Sequence, residues 1–307
     1  MSRPLIAITL GEPAGIGPEV SFRAVANPTV RKEVRTLVIC GPKWPRRIPA
    51  NVRCYRDTRI LPGNYSPGHP TKTSSRAAVT AIEVAVELWR EGKIDGLVTA
   101  PVSKEAIRKT GIDFLGHTEF LARLTGSTRV AMFFTSPHLK VVLVTRHVRL
   151  KKVSAAITPA AITDAVDLVN EHYPGARFAV CALNPHGGED GFGDGEEKKI
   201  IIPVIARLKR KGINIQGPFP ADTLFWRARR RKDVDIIVAM YHDQGLIPVK
   251  LLDWEKAVNI TFGLPFPRTS PIHGTGLDIA GKIAPDSRPM VSAILACGRL
   301  VQGKKIL

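Results

Sequence analysis

Cysteine is scarce in this 307-residue chain: Cys40, Cys54, Cys181 and Cys297 are scattered, with no CxxC spacing. That excludes a disulfide frame or a zinc ribbon and reads as the reduced thiols of a cytoplasmic protein. Long apolar runs are missing too. Met1-Ser2-Arg3-Pro4 leads straight into a strand-like run without the apolar core of a signal peptide, so no membrane partner is expected. Acidic residues are the third shortage: 27 Asp+Glu face 45 Lys+Arg, a formal net charge of +18. Such an excess fits an anionic partner, either nucleic acid or a phosphorylated metabolite, or else a basic solvated surface. The densest run, Arg227-Ala228-Arg229-Arg230-Arg231-Lys232, has no interleaved aromatics and comes with no nucleic-acid module. The solvated-surface reading is preferred and a nucleic-acid partner is not expected.

What is present is an ordinary globular composition, 44% hydrophobic, long enough for two domains. Apolar runs at Leu5–Leu10, Thr36–Cys40, Gly96–Thr99, Val130–Thr135, Lys140–Thr145, Phe178–Leu183 and Asp235–Met240 read as strands alternating with helices. This alternation predicts an α/β fold with a mainly parallel sheet. The clearest helix spans about Ser75–Glu91: Ala78, Ile82, Ala85, Val86 and Trp89 share one face, and Gly92 stops it. Thr158-Pro159 opens another, with proline at the first helical position. Pro203 is expected to kink or open a helix over Ile201–Leu208, and residues 44–73 read as a long irregular connection.

Three of the eight histidines follow apolar runs directly: His147 after 140–145, His186 after 178–183 and His242 after 235–240. The carboxyl ends of strands open into the ligand crevice of an α/β protein. A lone histidine is more often structural than a ligand. Three at analogous strand ends, two of them beside Asp or Glu in Gly188-Glu189-Asp190 and His242-Asp243, point to one divalent metal with a coordination position left for substrate. Nitrogen donors favour Zn²⁺, Co²⁺ or Ni²⁺ over Mg²⁺. His69, His138 and His172 lie in loop-like contexts and read as surface residues.

Anion ligands come next. Gly116-His117-Thr118-Glu119 opens a helix-like segment, where the Thr118 hydroxyl and backbone N–H groups suit a phosphate or carboxylate. Lys250, Asn259 and Arg268 stand in apolar surroundings, where a cation has either a bound anion or a buried salt bridge to neutralise it. Asp222 is either a helix cap or a proton relay. Gly11-Glu12-Pro13-Ala14-Gly15-Ile16-Gly17-Pro18-Glu19 lets backbone approach a ligand or is simply a tight turn; it is neither a Rossmann GxGxxG nor a Walker A. Pro271-Ile272-His273-Gly274-Thr275-Gly276-Leu277-Asp278 is a loop able to clasp a nucleotide.

Taken in order, GEPAGIGPE, GHTE, NPHGGEDG, GPFPADTLF, YHDQGLIPVK, VNITFGLPFPRTS and HGTGLDIAGK resemble the 4-hydroxythreonine-4-phosphate dehydrogenase (PdxA) family of vitamin B6 biosynthesis over about residues 5–300. The resemblance implies a two-domain α/β/α fold like that of isocitrate and isopropylmalate dehydrogenases, with the active site in an interdomain cleft. Residues 1–115 with 265–307 would form the cofactor side, and 116–264 the metal, substrate and dimerisation side. It implies that His147, His186 and His242 bind a divalent metal, zinc foremost with cobalt or magnesium as alternatives, shared across a homodimer interface. It makes His117, Thr118, Lys250, Asn259 and Arg268 substrate ligands and His273, Gly274, Thr275 and Asp278 cofactor ligands. Asp222, His117 and Lys250 become catalytic candidates.

The implied reaction is NAD-dependent oxidation, with NADP as the alternative cofactor, of 4-phosphooxy-L-threonine to a β-keto acid that decarboxylates to 3-amino-2-oxopropyl phosphate. Relatives within the family act on phosphorylated four-carbon sugar acids or on aromatic cis-dihydrodiols. Ile272 replaces a common Asp, Gly276 a usual Ala, and Asp190 a usual glycine. From other classes, a zinc hydrolase and a basic nucleic-acid-binding protein are the rivals.

Overall fold

The structure, a computed structural model, describes residues 3–42, 52–188, 195–304 and 306. The chain begins β1 (Leu5–Thr9), α1 (Gly17–Ala26), α2 (Pro28–Glu33), β2 (Arg35–Cys40), β3 (Cys54–Arg56), α3 (Lys72–Arg90) and β4 (Gly96–Thr99). It continues α4 (Lys104–Arg108), α5 (His117–Thr125), β5 (Ala131–Thr135), β6 (Lys140–Leu143), α6 (Val153–Ala156), α7 (Pro159–His172) and β7 (Phe178–Cys181). Then come α8 (Ile202–Arg210), β8 (Ile215–Phe219), α9 (Ala221–Arg231), β9 (Ile236–Ala239), α10 (His242–Asp253), β10 (Val258–Phe262), β11 (Arg268–Pro271) and α11 (Arg288–Val301).

All seven strands expected from apolar runs are present, their ends shifted by a residue or two. β1, β4, β7 and β9 are buried along almost their whole length, as parallel strands covered on both faces must be. The pairs β1–β2, β1–β4, β4–β11, β2–β3, β6–β9, β7–β8 and β7–β9 are parallel, and β5–β6 is antiparallel. Helix α3 begins three residues earlier than its apolar stripe indicated. Thr71 and Ser74 form a reciprocal cap there, Ser74 N to Thr71 Oγ1 at 3.0 Å and Thr71 N to Ser74 Oγ at 2.9 Å. Thr158 caps α7 through Ala161 N, and Pro203 stands in the first turn of α8 behind a single π-helical turn, so it opens that helix rather than kinking it. The 44–73 connection is not wholly irregular, because β3 pairs with β2. Residues 43–51, like Glu189 and Asp190, lie outside the described residues.

The chain groups into two compact units. The first holds Met1–Thr128, Glu255–Ile260 and Leu264–Ile306; the second holds Arg129–Trp254 and Thr261–Gly263. The sequence had drawn boundaries near 115 and 265. His117, Thr118 and Asn259 fall in the unit that holds both chain ends; for the first two this follows from α5 packing on α3, with Phe120 and Leu121 in that unit's core.

In the first unit the strand order is β3-β2-β1-β4-β11-β10. Alternation along the strands separates two helical layers. Ala7 and Leu97 face α3, whereas Ile6 and Gly96 meet α11, where a Cβ on Gly96 would come 2.7 Å from Cys297 Sγ. In the second unit the order is β5-β6-β9-β7-β8. Helix α10 lies on Val141, Leu143 and Ala239, so closely that a Cβ on Gly245 would come 2.9 Å from Leu143. The strand order places β6, β9 and β7 side by side.

Candidate active-site residues

In the second unit, the three strands that sit side by side are the three whose ends carry the histidines. Their carboxyl ends are laced together: Thr145 Oγ1 donates to Met240 O at 2.7 Å, and Gln244 accepts from Met240 N at 2.7 Å while donating to Ala182 O at 2.8 Å. The rings of His147 and His242 lie with centroids 5.7 Å apart. His242 is the first residue of α10, and its Nδ1 meets Asp243 Oδ1 at 2.6 Å, which directs Nε2 toward any metal. His186 is an exposed residue with left-handed backbone, φ +54°, a conformation that costs a β-carbon-bearing residue about 1 kcal/mol or more.

The loop before His186 is fixed by Glu197, whose Oε1 accepts from Leu183 N and Asn184 N, both at 2.9 Å, while Oε2 accepts from the Asn184 amide. Burial acts to raise the Glu197 carboxyl, but these hydrogen bonds outweigh it and hold the group below the ordinary range. Glu197 and Gln244 were not singled out in the sequence. Two imidazoles and an orienting carboxylate suit Zn²⁺ chemistry. Among the described residues, however, no group of three His, Cys, Asp or Glu is close enough to hold an ion. Of the three expected histidines, the rings of His147 and His242 are the two that come together.

Two further expected residues of this unit do not join that pair. Asp222 is exposed, and its Oδ1 accepts from Thr223 N at 2.8 Å, a local turn contact in the first turn of α9. Lys250 lies on α10 with its ammonium 5.6 Å from the Trp254 ring. His138 pairs with the largely buried Asp253 at 2.9 Å, and His69 and His172 are exposed.

The first unit holds the other set. Arg268 opens β11 only 2% exposed and donates to Thr99 Oγ1 at 2.6 Å, at the carboxyl end of β4. Burial lowers its pKa to about 10, against the pull of Glu119. Helix α5 begins at His117 without a side-chain cap, and Thr118 in its first turn is buried. His117 Nε2 is shielded from solvent and meets no protein partner. Burial pushes this imidazole well below its usual pKa of 6.5, helped by Arg268 and Lys104, so it is neutral at physiological pH. Asn259 Oδ1 is likewise buried without a partner. Lys104, at the start of α4, is a member of this cluster that the sequence did not reveal. Its ammonium and Glu119 Oε2 crowd Gly116 so closely that a Cβ there would lie 3.2 and 2.9 Å from them.

The glycine-rich loops of this unit are locked to one another. Ile16 N donates to Thr275 O at 2.9 Å, and Gly68 N donates to Ala14 O at 2.7 Å. Gly276 has φ +55°, a left-handed backbone that favours glycine, and a Cβ there would come 2.9 Å from the tip of Ile16. The loop's base is Glu12, wholly buried, with Ser74 Oγ donating to Oε1 at 2.7 Å and Ser75 Oγ to Oε2 at 2.6 Å. The Gly11–Pro18 segment is thus a built platform and not merely a turn. Beyond it, His273 Nδ1 meets Gly274 O at 2.9 Å, Gly274 has open space where a side chain would stand, and Asp278 is exposed. An open glycine and an exposed carboxylate on a fixed loop fit a nucleotide's phosphates and ribose hydroxyls.

The profile of a family described as pyridoxal phosphate biosynthetic protein PdxA matches residues 17–297. The chain is 41% identical to the D-threonate 4-phosphate dehydrogenase of Cupriavidus necator, over 95% of each chain. It is 40% identical to the 4-hydroxythreonine-4-phosphate dehydrogenase of Desulforapulum autotrophicum, over 95% of this chain and 94% of that one. Among solved structures it is similar to 4-hydroxythreonine-4-phosphate dehydrogenase from Klebsiella pneumoniae, with a TM-score of 0.83 and 34% identity, covering 97% and 99% of the two chains. A likeness in fold alone, TM-score 0.53 at 14% identity over 98% of this chain and 84% of that one, connects it to a β-decarboxylating dehydrogenase from Thermococcus kodakarensis. The expected isocitrate-dehydrogenase-like α/β fold is borne out.

Proposed function

The chain belongs to the PdxA family of pyridoxal phosphate biosynthetic proteins, and from that premise we propose that it is an NAD-dependent dehydrogenase of 4-phosphooxy-L-threonine. It oxidises the secondary alcohol to a β-keto acid, which loses CO₂ to give 3-amino-2-oxopropyl phosphate. The observation that carries this reading is the group of Arg268, Lys104 and neutral His117 in the first unit, which also holds two buried polar atoms without a hydrogen-bond partner, His117 Nε2 and Asn259 Oδ1. Such a setting favours an anionic, hydrogen-bonding ligand.

Within it, Arg268 holds an anionic group of the substrate, and Thr118 at the start of α5 adds a hydroxyl and the positive end of the helix dipole. His117 is neutral, so its shielded Nε2 can take up or hand over a proton at the reacting alcohol. Asn259 Oδ1 accepts from an amine or hydroxyl. In the second unit, Lys250 is the residue proposed as a further cation for the substrate, and Asp222 as the alternative proton carrier. Loop 272–281 receives the dinucleotide, with His273, Gly274, Thr275 and Asp278 as ligands, and NAD when bound supplies the hydride acceptor. His147, His186 and His242 hold a divalent cation, zinc foremost, which when bound supplies Lewis-acid polarisation of the alcohol and of the carbonyl it becomes.

We assign the pair His147 and His242 to one protomer and His186 to its partner in a homodimer. The surface beside the pair supports this. On α10 and at its C-cap, Ile247, Leu251 and Trp254 are 58%, 81% and 47% exposed, and Leu150 close after His147 is 75% exposed. Large apolar side chains spaced i, i+4, i+7 on a helix call for a covering partner, and a second copy of the chain satisfies that need. A cytoplasmic location is proposed from the four free thiols, three of them buried, and from the absence among described helices of one long and apolar enough to cross a membrane.

The test is a panel of phosphorylated hydroxy acids with NAD and with NADP, followed by reduced-cofactor absorbance with and without chelator. The expected result is turnover of 4-phosphooxy-L-threonine with NAD, lost on chelation and restored by zinc. Chelator-resistant turnover would contradict the metal's role, and no cofactor reduction with any acid would contradict the dehydrogenase. The 41% identity to a D-threonate 4-phosphate dehydrogenase favours a second reading, in which the hydroxy analogue is preferred over the amino acid; the same panel decides it.

A further inference from the structure

Three glycine-bearing loops of the first unit meet one another, and a wholly buried carboxylate anchors them to α3. Gly11, at φ +68°, turns the chain off the end of β1 so tightly that a Cβ there would come 2.2 Å from Pro101 O. Glu12 follows, wholly buried, its backbone N donating to Pro101 O at 3.0 Å. Its side chain crosses to α3, where the Ser74 and Ser75 hydroxyls donate to Oε1 at 2.7 Å and to Oε2 at 2.6 Å. Ser74 completes the cap of α3 with Thr71, so the carboxylate sits at the first turn of a 19-residue helix, where the helix dipole favours it. The segment it holds then offers Ala14 O to Gly68 N at 2.7 Å and Ile16 N to Thr275 O at 2.9 Å. The fit is close throughout. A Cβ on Gly15 would come 2.6 Å from Thr275 O, one on Gly68 2.7 Å from Leu277 O, and one on Gly281 2.8 Å from Pro67. Segments 66–69 and 275–281 are therefore both fitted to the backbone that Glu12 fixes.

We propose that Glu12 is a positioning residue for the dinucleotide: it ties segment 11–18 to the first turn of α3, and through Ile16 and Thr275 that tie sets the place of loop 272–281. Being wholly buried, the carboxylate acts through these backbone contacts and not by touching the ligand. A carboxylate suits the task because it has acceptors only and takes both hydroxyls at once; an amide would turn a donor toward one of them. A loop ordered before its ligand arrives loses less conformational freedom on binding, which strengthens affinity. The inference rests on the reading of loop 272–281 as the dinucleotide site.

The test compares wild type with Glu12→Gln, which keeps shape and exchanges an acceptor for a donor, and with Ser75→Ala, which removes one hydroxyl. Amide hydrogen exchange without ligand reads the order of the loops, and calorimetric titration with NAD and NADP reads affinity. Glu12→Gln should speed exchange at least about tenfold in 11–18 and 272–281, while the interior of α11, on the sheet's other face, keeps its wild-type rate. Kd for NAD should rise at least about tenfold, with KM for the phosphorylated acid unchanged at saturating NAD. Ser75→Ala should move the same readings in the same direction by less, since one hydroxyl of two remains, and it carries the comparison alone if Glu12→Gln fails to fold. Equal acceleration in the loops and in α11 would overturn the proposal and make Glu12 a residue of general stability. Unchanged loop exchange, or unchanged NAD affinity in a variant whose loops have loosened, would overturn it as well. If the loops loosen as expected but wild type binds neither dinucleotide, the cofactor reading of loop 272–281 fails while its anchoring by Glu12 stands.

Discussion

The two units of this chain carry their functional residues in opposite ways. In the first, the charged groups are buried and assembled within one chain: Arg268 is 2% exposed, Thr118 3%, and Glu12 and its two serines not at all. In the second, His147 and His186 are exposed, His242 is half-buried, and only two of the three rings come together. A buried cation cluster can hold its geometry before any ligand arrives, because packing fixes every rotamer. An exposed pair of imidazoles on strand ends is unfinished. Under the proposed function, the first unit would be completed by a small anion and the second by a cation held jointly with a second copy of the chain.

If the first unit is preassembled for an anion, Arg268→Met should raise KM for the phosphorylated acid by about 10- to 100-fold, the worth of one or two hydrogen bonds to a charged group. NAD affinity should be retained. Equal loss of substrate and NAD affinity in steady-state kinetics would place Arg268 outside the anion site.

A smaller effect separates the buried histidine from the exposed ones. The pKa of His117 is depressed in the folded state, so its contribution to stability is fully present above the unfolded value near 6.5. It is lost as pH falls from about 6.5 toward the folded value, at up to about 1.4 kcal/mol per pH unit. Urea unfolding between pH 7.5 and 5 should show that slope in the wild type and a shallower one in His117→Asn. Identical slopes would mean that the ring is solvated.

Much of this was legible in the sequence, and the reasons are physical. His147, His186 and His242 stood out because each follows an apolar run, and in a parallel sheet runs of that kind end on one edge. That their strands would be neighbours, in the order β6-β9-β7, could not be read, because pairing is set by tertiary packing. Strand β11 was not legible either. Arg-Thr-Ser-Pro has no strand-like pattern, and its conformation is imposed by the ladder with β4. Glu12 lay inside a motif already singled out, yet its role depends on Ser74 and Ser75, more than sixty residues away. Lys104 was missed because Ser-Lys-Glu-Ala reads as the capped start of a solvated helix, which locally it is: Ser103 Oγ accepts from Ala106 N at 3.2 Å. Asp222 and Lys250, by contrast, stood out for their sequence context, and their observed contacts are local ones.

The central claim, that the metal set is completed by a second protomer, is tested most directly by mixing two dead variants. His186→Ala and His242→Ala should each be inactive and bind zinc poorly. Unfolded together and refolded as a one-to-one mixture, they form mixed dimers in which one site regains His147 and His242 from one chain and His186 from the other. Random pairing predicts recovery of roughly a quarter of wild-type activity and of the zinc content. Refolded mixtures that contain mixed dimers yet remain as inactive as either parent would contradict the shared site.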